Sequence, residues 1–184
     1  MAAWQRGAMP FNVNVLARTS AKHGRGLFAT ARIPKGTPIW RFAASADCPK
    51  SQTGEMVNSV YTRTELEDLA KADPQKIKEV LWGGYLHDPS EQFIHLVDGG
   101  QFTNHSDSPN CGGDWAEDPK DEVSVAIRDI EEGEEITDDY SVFQDMSCEW
   151  LVALLEEHSP ERAAFEEEFV TKKPKGYVTP VQSD

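Results

Sequence analysis

Apolar and polar residues alternate along FNVNVLART at the start of the chain, with Phe11, Val13 and Val15 on one side of an extended backbone. Period-two alternation predicts a half-buried β-strand. In SAKHGRGLFAT a glycine-containing turn leads to a short apolar strand at Leu27 and Phe28. Pro34, Gly36 and Pro38 then punctuate a turn before the strand-like Ile39-Trp40-Arg41-Phe42. Residues 43–60 are mixed and small, and read as loop. Thr64 followed by Glu67 is a capping-box signature, predicting a helix through about Ala72. Asp73-Pro74 reads as an N-cap followed by Pro at the first helical position of PQKIKEVLW. Ile77, Val80 and Leu81 share a face of that helix, and Gly83-Gly84 ends it. QFIHLVDGG and EVSVAIRDI predict two more strands, the second alternating at Val123, Val125 and Ile127. From Ser147 the period lengthens to that of a helix. Ser147 is the expected N-cap, and Leu151, Leu154 and Leu155 fall on one face. Ser159-Pro160 opens a last helical stretch.

The predicted elements are mainly short strands, with helices inserted mid-chain and added at the end. There is no βαβ alternation, so a doubly wound sheet is not expected. One pattern occurs twice: I-x-x-G-x-x-I at Ile33-Gly36-Ile39 and at Ile130-Gly133-Ile136. Two copies do not make a repeat array. They read as one device, a tight Gly turn between strands, used twice. The acidic run from Glu131 to Glu135 reads as a solvated turn.

Composition narrows the partners. The 184 residues carry a formal net charge of -14. That charge repels nucleic-acid phosphates and attracts a Lys/Arg-rich peptide. Cys48, Cys111 and Cys148 form no C-x-x-C pair, so neither a structural zinc site nor a disulfide framework is expected. They read as free, mostly buried thiols. No apolar run approaches a membrane span, and MAAWQRGAMPF has no signal-peptide h-region. The expected setting is soluble and intracellular, cytoplasmic or nuclear. In that setting the glycosylation pattern at Asn104-His105-Ser106 is not used.

Common catalytic signatures are absent. There is no G-x-S-x-G, and the five His have no zinc-enzyme spacing. Ser106 beside His105 cannot form a dyad by adjacency, since strand neighbours point to opposite faces. The Gly24-Arg25-Gly26 segment is not followed by Lys-Ser/Thr and is no P-loop.

Three blocks, taken in order, resemble a known family. GRGLFATARIPKGTPI, FTNHSDSPN and VAIRDIEEGEEITDDY resemble the signature blocks of the SET domain, the lysine-methyltransferase fold. The resemblance implies a β-clip fold of small twisted sheets with a knot-like crossing. It implies a tail at 1–10, a SET domain over 11–145 with a variable helical insertion at 43–92, C-terminal helices over 146–170 and a tail at 171–184. It further implies S-adenosylmethionine as cofactor and a lysine in a basic protein or peptide as acceptor. An amine-bearing small molecule, or a binding role without catalysis, are the alternatives. By the same resemblance Arg25, Gly26 and Leu27 lie at the cofactor's methionine end, Asn104 and His105 form its main grip, and Tyr140 lies beside the transferring methyl. Absent Cβ atoms at Gly24 and Gly26 would let backbone approach a ligand.

The chain departs from the family in two places. No Cys-rich zinc tail follows Tyr140, so closure falls to SVFQDMSCEWLVALL, with Phe143, Met146 or Trp150 over the adenine or the acceptor channel. The position two before Tyr140, normally aromatic, is Asp138. Period two places Ile136, Asp138 and Tyr140 on one side. A carboxylate there either holds an incoming amine in its protonated form or accepts its proton. Trp82 and Tyr85 are candidate wall residues, with core packing the blander account.

Overall fold

The computed structural model describes residues 11–42, 58–87, 90–113, 116, 118, 121–142 and 148–170. The chain divides into two compact units: residues 1–58 with 96–139, and residues 59–95 with 140–184.

The first unit is β. It contains β1 (Val15–Thr19), β2 (Arg25–Ala29), β3 (Pro38–Arg41), β7 (Asn104–His105), β8 (Cys111–Gly112), β9 (Val123–Ala126) and β10 (Glu135–Asp138). They form a four-stranded sheet in the order β1-β2-β10-β7 and a three-stranded sheet in the order β3-β9-β8. The β1–β2 hairpin is antiparallel, whereas β7 runs parallel to β10. Leu27, Ile33, Ile39, Ile130 and Ile136 are fully or almost fully buried. The first strand starts later than the alternation suggests. Phe11 makes only an isolated bridge to Trp40.

The two I-x-x-G-x-x-I copies lie against each other. Ile33 and Ile130 form an antiparallel bridge, each N–H donating to the other's carbonyl at 2.8 and 2.9 Å. The neighbouring bonds repeat with the copies exchanged. Gly36 N–H donates to Ala126 O at 2.7 Å, and Gly133 N–H to Ala29 O at 2.8 Å. Ala126 N–H donates to Thr37 O and Ala29 N–H to Glu134 O, both at 2.9 Å. Pro38 pairs with Val125 as Glu135 pairs with Phe28. Arg32 and Asp129, 97 residues apart and equivalent in the two copies, form a salt bridge across the centre. The echo in the sequence is therefore a local two-fold arrangement of strand–turn–strand units. Both turns need glycine: φ is +80° at Gly36 and +84° at Gly133.

The acidic turn is only partly solvated. Glu131 and Glu132 are exposed. Glu134 accepts from Asn110 Nδ2 and Arg128, and Glu135 accepts from Ser20 and Asn104. A buried polar group that the hydropathy pattern does not reveal is Asp98. Its carboxylate accepts from Trp40 Nε1 at 3.0 Å, from Gly100 N at 2.8 Å and from Asn58 Nδ2. These bonds replace the water it loses.

The second unit joins the mid-chain insertion to the C-terminal helices. The insertion brings α1 (Arg63–Ala72) and α2 (Pro74–Trp82), and also an antiparallel sheet of β4 (Ser59–Tyr61), β6 (Gln92–His95) and β5 (Gly84–His87). α3 (Glu149–His158) and α4 (Pro160–Val170) follow. Leu66, Ala70, Ile77, Val80, Leu81, Leu86 and Phe93 pack with Leu151, Leu154, Leu155 and Ala163. Burying each large apolar side chain contributes about 1.5–3 kcal/mol.

Two caps differ from expectation. The capping box uses Thr62 and Glu65, not Thr64 and Glu67. Two T-x-x-E frames overlap here, and the earlier one starts the helix so that Leu66 and Ala70 reach the core. Cys148 occupies the N-cap of α3 without a side-chain bond, in place of Ser147. The Asp73 cap forms as expected, with its carboxylate accepting from Gln75 N and Lys76 N. Trp82 is 46% exposed, so core packing does not account for it. Among the described residues no helix is long and apolar enough to cross a membrane.

Replacing Gly36 or Gly133 by Ala should cost about 1–2 kcal/mol each in denaturant unfolding, since an L residue pays for left-handed backbone. Nothing lies within 4 Å of a Cβ at either position, so the loss measures conformation alone.

Candidate cofactor and acceptor site

The candidate residues of the first unit converge on β10. Its antiparallel neighbour β2 brings Arg25, Gly26 and Leu27, and its parallel neighbour β7 brings Asn104 and His105. Thr137 pairs with Asn104, and Asp138 pairs with His105. The residues after β7 bind back to the same strand. Ser106 N–H donates to Asp138 O at 2.9 Å, and Asn110 N–H to Thr137 O at 3.1 Å.

Asn110, which the sequence suggests only as the end of a turn, is a stitch. It is 1% exposed. Its Nδ2 donates to Glu135 O at 2.7 Å, and its Oδ1 accepts from Thr137 N at 2.9 Å. One amide thus supplies both partners that a neighbouring strand would otherwise give to β10.

Asn104 is held from its nitrogen end. Its Nδ2 faces Arg25 O at 3.0 Å, His23 O at 3.1 Å and Glu135 Oε1 at 2.7 Å. Three acceptors around one end identify that end as nitrogen. Oδ1, an acceptor, is therefore the end available to a cation.

Glu135 is the site residue that motif reading passes over. Its carboxylate accepts from Ser20 Oγ at 2.7 and 2.9 Å as well as from Asn104. A Cβ built on Gly26 would overlap the same carboxylate. The space beside Gly26 is thus filled by Glu135 and not left for a ligand. Gly24 differs: its φ is +46°, and nothing lies within 4 Å of a Cβ there. Arg25 lies with its guanidinium 4.5 Å from the centre of the Phe102 ring and donates to Ala17 O at 3.3 Å. Leu27 is wholly buried and serves the core.

His105 lies between two carboxylates. Nε2 is 3.2 Å from Asp107 Oδ1, and Nδ1 is 3.9 Å from Asp139 Oδ1. Asp139 is 3% exposed. Asp138 ends β10, and its Oδ1 accepts from Asp139 N–H at 2.7 Å. Its surface exposure is intermediate, yet protein encloses the carboxyl as it would in the interior. The enclosure governs protonation. Burial pushes Asp138 up to about 7, the Asp139 N–H opposes this, and the charge of Asp139 adds to it. Burial, with the charge of Asp138 second, also drives the Cys111 thiol well above its usual range.

The expected alternation does not reach Tyr140. β10 stops at Asp138, and Tyr140 opens a short 3-10 turn, Tyr140–Val142, in the second unit. Phe143 and Met146 lie outside the described residues. Trp150 is half-buried and packs against the core of the second unit. Tyr85 is half-buried on β5. Among the described residues no group of three His, Cys, Asp or Glu could hold a metal ion.

Two outcomes follow from this geometry. Gly26→Ala should destabilise the fold by about 1–3 kcal/mol through overpacking. Adding Glu135→Ala should recover part of that loss, a coupling of about 0.5–3 kcal/mol in a double-mutant cycle. The second outcome concerns pH. The folded state holds the Asp138 proton up to about 7, while an unfolded Asp releases it near 3.8. The protonated carboxyl's contribution is therefore complete below about pH 3.8 and lost as pH rises through about 7. Asp138→Asn should remove that component from the stability–pH curve and raise stability at pH 8 relative to wild type.

Comparison with known proteins agrees with the order of the blocks. The family described as SET domain matches residues 24–141. Histone-lysine N-methyltransferase set5 of Schizosaccharomyces pombe is 33% identical over 132 residues, which is 64% of this chain and 39% of that protein. The chain thus spans well under half the length of this curated relative. The Neurospora SET domain protein DIM-5, a histone lysine methyltransferase, superposes with a TM-score of 0.50 at 20% identity, covering 73% of this chain and 55% of that one. KRYPTONITE, solved with mCHH DNA, an H3(1-15) peptide and SAH, gives a TM-score of 0.45 at 22% identity, covering 71% and 24%. With the family's match running from the β2 glycine turn to just past Tyr140, the chain belongs to the SET-domain family.

Proposed function

We propose that this protein is an S-adenosylmethionine-dependent methyltransferase that acts on lysine in a basic protein or peptide. The observation that carries this reading is Asn104. Its amide is clamped at nitrogen by two backbone carbonyls and Glu135, which presents oxygen to a cation. A methionyl ammonium is such a cation, and the Glu135 carboxylate adds negative charge beside it. Open space at Gly24 leaves room for backbone contact. The donor set therefore fits the cofactor. Asn104, Arg25 and the backbone around Gly24 and His105 would hold it, and Phe143 is a candidate cover for its adenine. When bound, it supplies a methyl group on a cationic sulfur, open to in-line attack by a nitrogen lone pair. The chain's part is alignment, which can lower such a barrier by up to about 7–11 kcal/mol. Tyr140, at the position of the family's tyrosine, would place its hydroxyl beside the methyl for weak C–H···O contacts.

The charge of -14 favours a basic acceptor, and the yeast relative's name points to histones. The proposed setting is nuclear or cytoplasmic. Purified histones incubated with methyl-labelled S-adenosylmethionine should acquire label on lysine, and Tyr140→Phe should lose at least about 100-fold in rate while binding cofactor in calorimetry. Cofactor binding with label only in small molecules of a lysate would replace the lysine reading with a metabolite one. Binding with no transfer at all would make the protein a non-catalytic binder. Unchanged turnover in Tyr140→Phe would remove the hydroxyl from the reaction.

A further inference from the structure

We propose that Asp98 is a positioning residue for the cofactor. It anchors the turn that places Phe102 and Asn104, and so sets the affinity for S-adenosylmethionine without touching it. The proposal rests on the methyltransferase reading above.

Phe102 and Asn104 lie where strand ladders hold the chain least. β7 has only two residues, and from Leu96 to Thr103 the backbone belongs to no strand. Side-chain bonds at the start of this stretch fix it instead. Asp98 is 7% exposed. Gly100 N–H donates to its Oδ1 at 2.8 Å, and Trp40 Nε1, at 3.0 Å, and Asn58 Nδ2 donate to its Oδ2. Asn58 closes the network, its Oδ1 accepting from Val97 N at 3.0 Å. Gly100 is pressed onto this anchor. A Cβ there would lie 3.1 Å from Asp98 Oδ1 and 3.1 Å from Trp40 Nε1, tighter than ordinary contact.

A 3-10 turn, Gly100–Phe102, runs from the anchor to β7. Phe102 N–H donates to Gly99 O at 3.1 Å, and Thr103 N–H to Gly100 O at 3.0 Å. A displacement of Gly100 is therefore passed to the residues that follow. The Phe102 ring carries the Arg25 guanidinium 4.5 Å from its centre. Two residues on, Asn104 Nδ2 donates to Arg25 O at 3.0 Å. The turn that Asp98 holds thus ends on both side chains proposed to grip the cofactor.

The anchor needs a carboxylate. Three N–H donors converge on one side chain, and a carboxylate has acceptor sites for all of them, whereas an amide of the same size has one oxygen and brings two donors of its own. Asp98→Asn therefore loses either the Gly100 bond or the Trp40 and Asn58 bonds. An anchor that served folding alone would change stability and leave the cofactor affinity of the folded molecules as it was.

Affinity, turnover and backbone signals separate the two roles. Asp98→Asn should raise the S-adenosylmethionine Kd about tenfold in calorimetry. The cofactor's KM should rise alike, while kcat at saturating cofactor and the KM of a lysine peptide stay within about twofold of wild type. Adding Asn58→Asp again sets a carboxylate against an amide, and should bring the Kd back to within about threefold of wild type. In Asp98→Asn the ¹H–¹⁵N signal of the Asn104 side-chain amide should move. One readout needs no variant: S-adenosylhomocysteine should slow solvent exchange of the Gly100 amide in the wild type, because coupling between two sites is reciprocal. A Kd within about twofold of wild type in Asp98→Asn, a loss confined to kcat, or Gly100 exchange that ignores the ligand overturns the proposal. A wild type that binds neither S-adenosylmethionine nor S-adenosylhomocysteine would refute the methyltransferase reading itself, while the Asn104 signal in Asp98→Asn still judges Asp98.

Discussion

The first unit is organised around the reciprocal pair of hydrogen bonds between Ile33 and Ile130. Each isoleucine lies three residues before a glycine with left-handed backbone, so each chain turns sharply as soon as it has crossed the other. The turn sends β3 to pair with β9 and β10 to pair with β2. The two pairings are tied together, because each turn's glycine N–H is satisfied by the partner copy's alanine carbonyl. The arrangement also explains why opposite charges stand at the equivalent positions Arg32 and Asp129. Like charges facing each other across the centre would repel where the backbones must approach.

The candidate site follows from that crossing. Pairing with β2 occupies one edge of β10 and leaves the other for β7, which brings Asn104 and His105 level with Thr137 and Asp138. Two asparagine amides complete what the short strands cannot. Asn110 takes the place of a neighbouring strand, and Asn104 ties β2 to β10 through His23, Arg25 and Glu135. A two-residue strand has too few ladder bonds to fix its register alone. Here side-chain amides set it.

Much of this was legible in the sequence, and the rest failed for local reasons. Alternation found the strands because half-buried strands show period two, and the α2 face formed as read because Ile77, Val80 and Leu81 recur at helical spacing. The doubled I-x-x-G-x-x-I was visible as a pattern, but not as a contact, because nothing local says that segments 97 residues apart will cross. The helix start at Thr62 was hidden by two overlapping capping frames, which only the burial of Leu66 and Ala70 could separate. Gly26 was read as clearance for a ligand. The clearance is real, but Glu135 occupies it, and an acidic residue in an acidic run looks like surface until its partners are known. The alternation drawn from Asp138 to Tyr140 does not apply, because the strand ends at Asp138, two residues before Tyr140.

The carboxyl at position 138 is tolerable for the same reason that it is interesting. An aromatic at the end of β10 would need only apolar contact, whereas a buried carboxylate needs a donor or a proton. The N–H of Asp139 donates to it, and the charge of Asp139 adds to burial in disfavouring its ionised form. The proton is the remaining way to satisfy Asp138. A group that the fold itself keeps between two protonation states near neutrality costs stability whenever it is ionised. Such a cost is seldom found where packing alone is at stake, since Asn or an apolar side chain would avoid it.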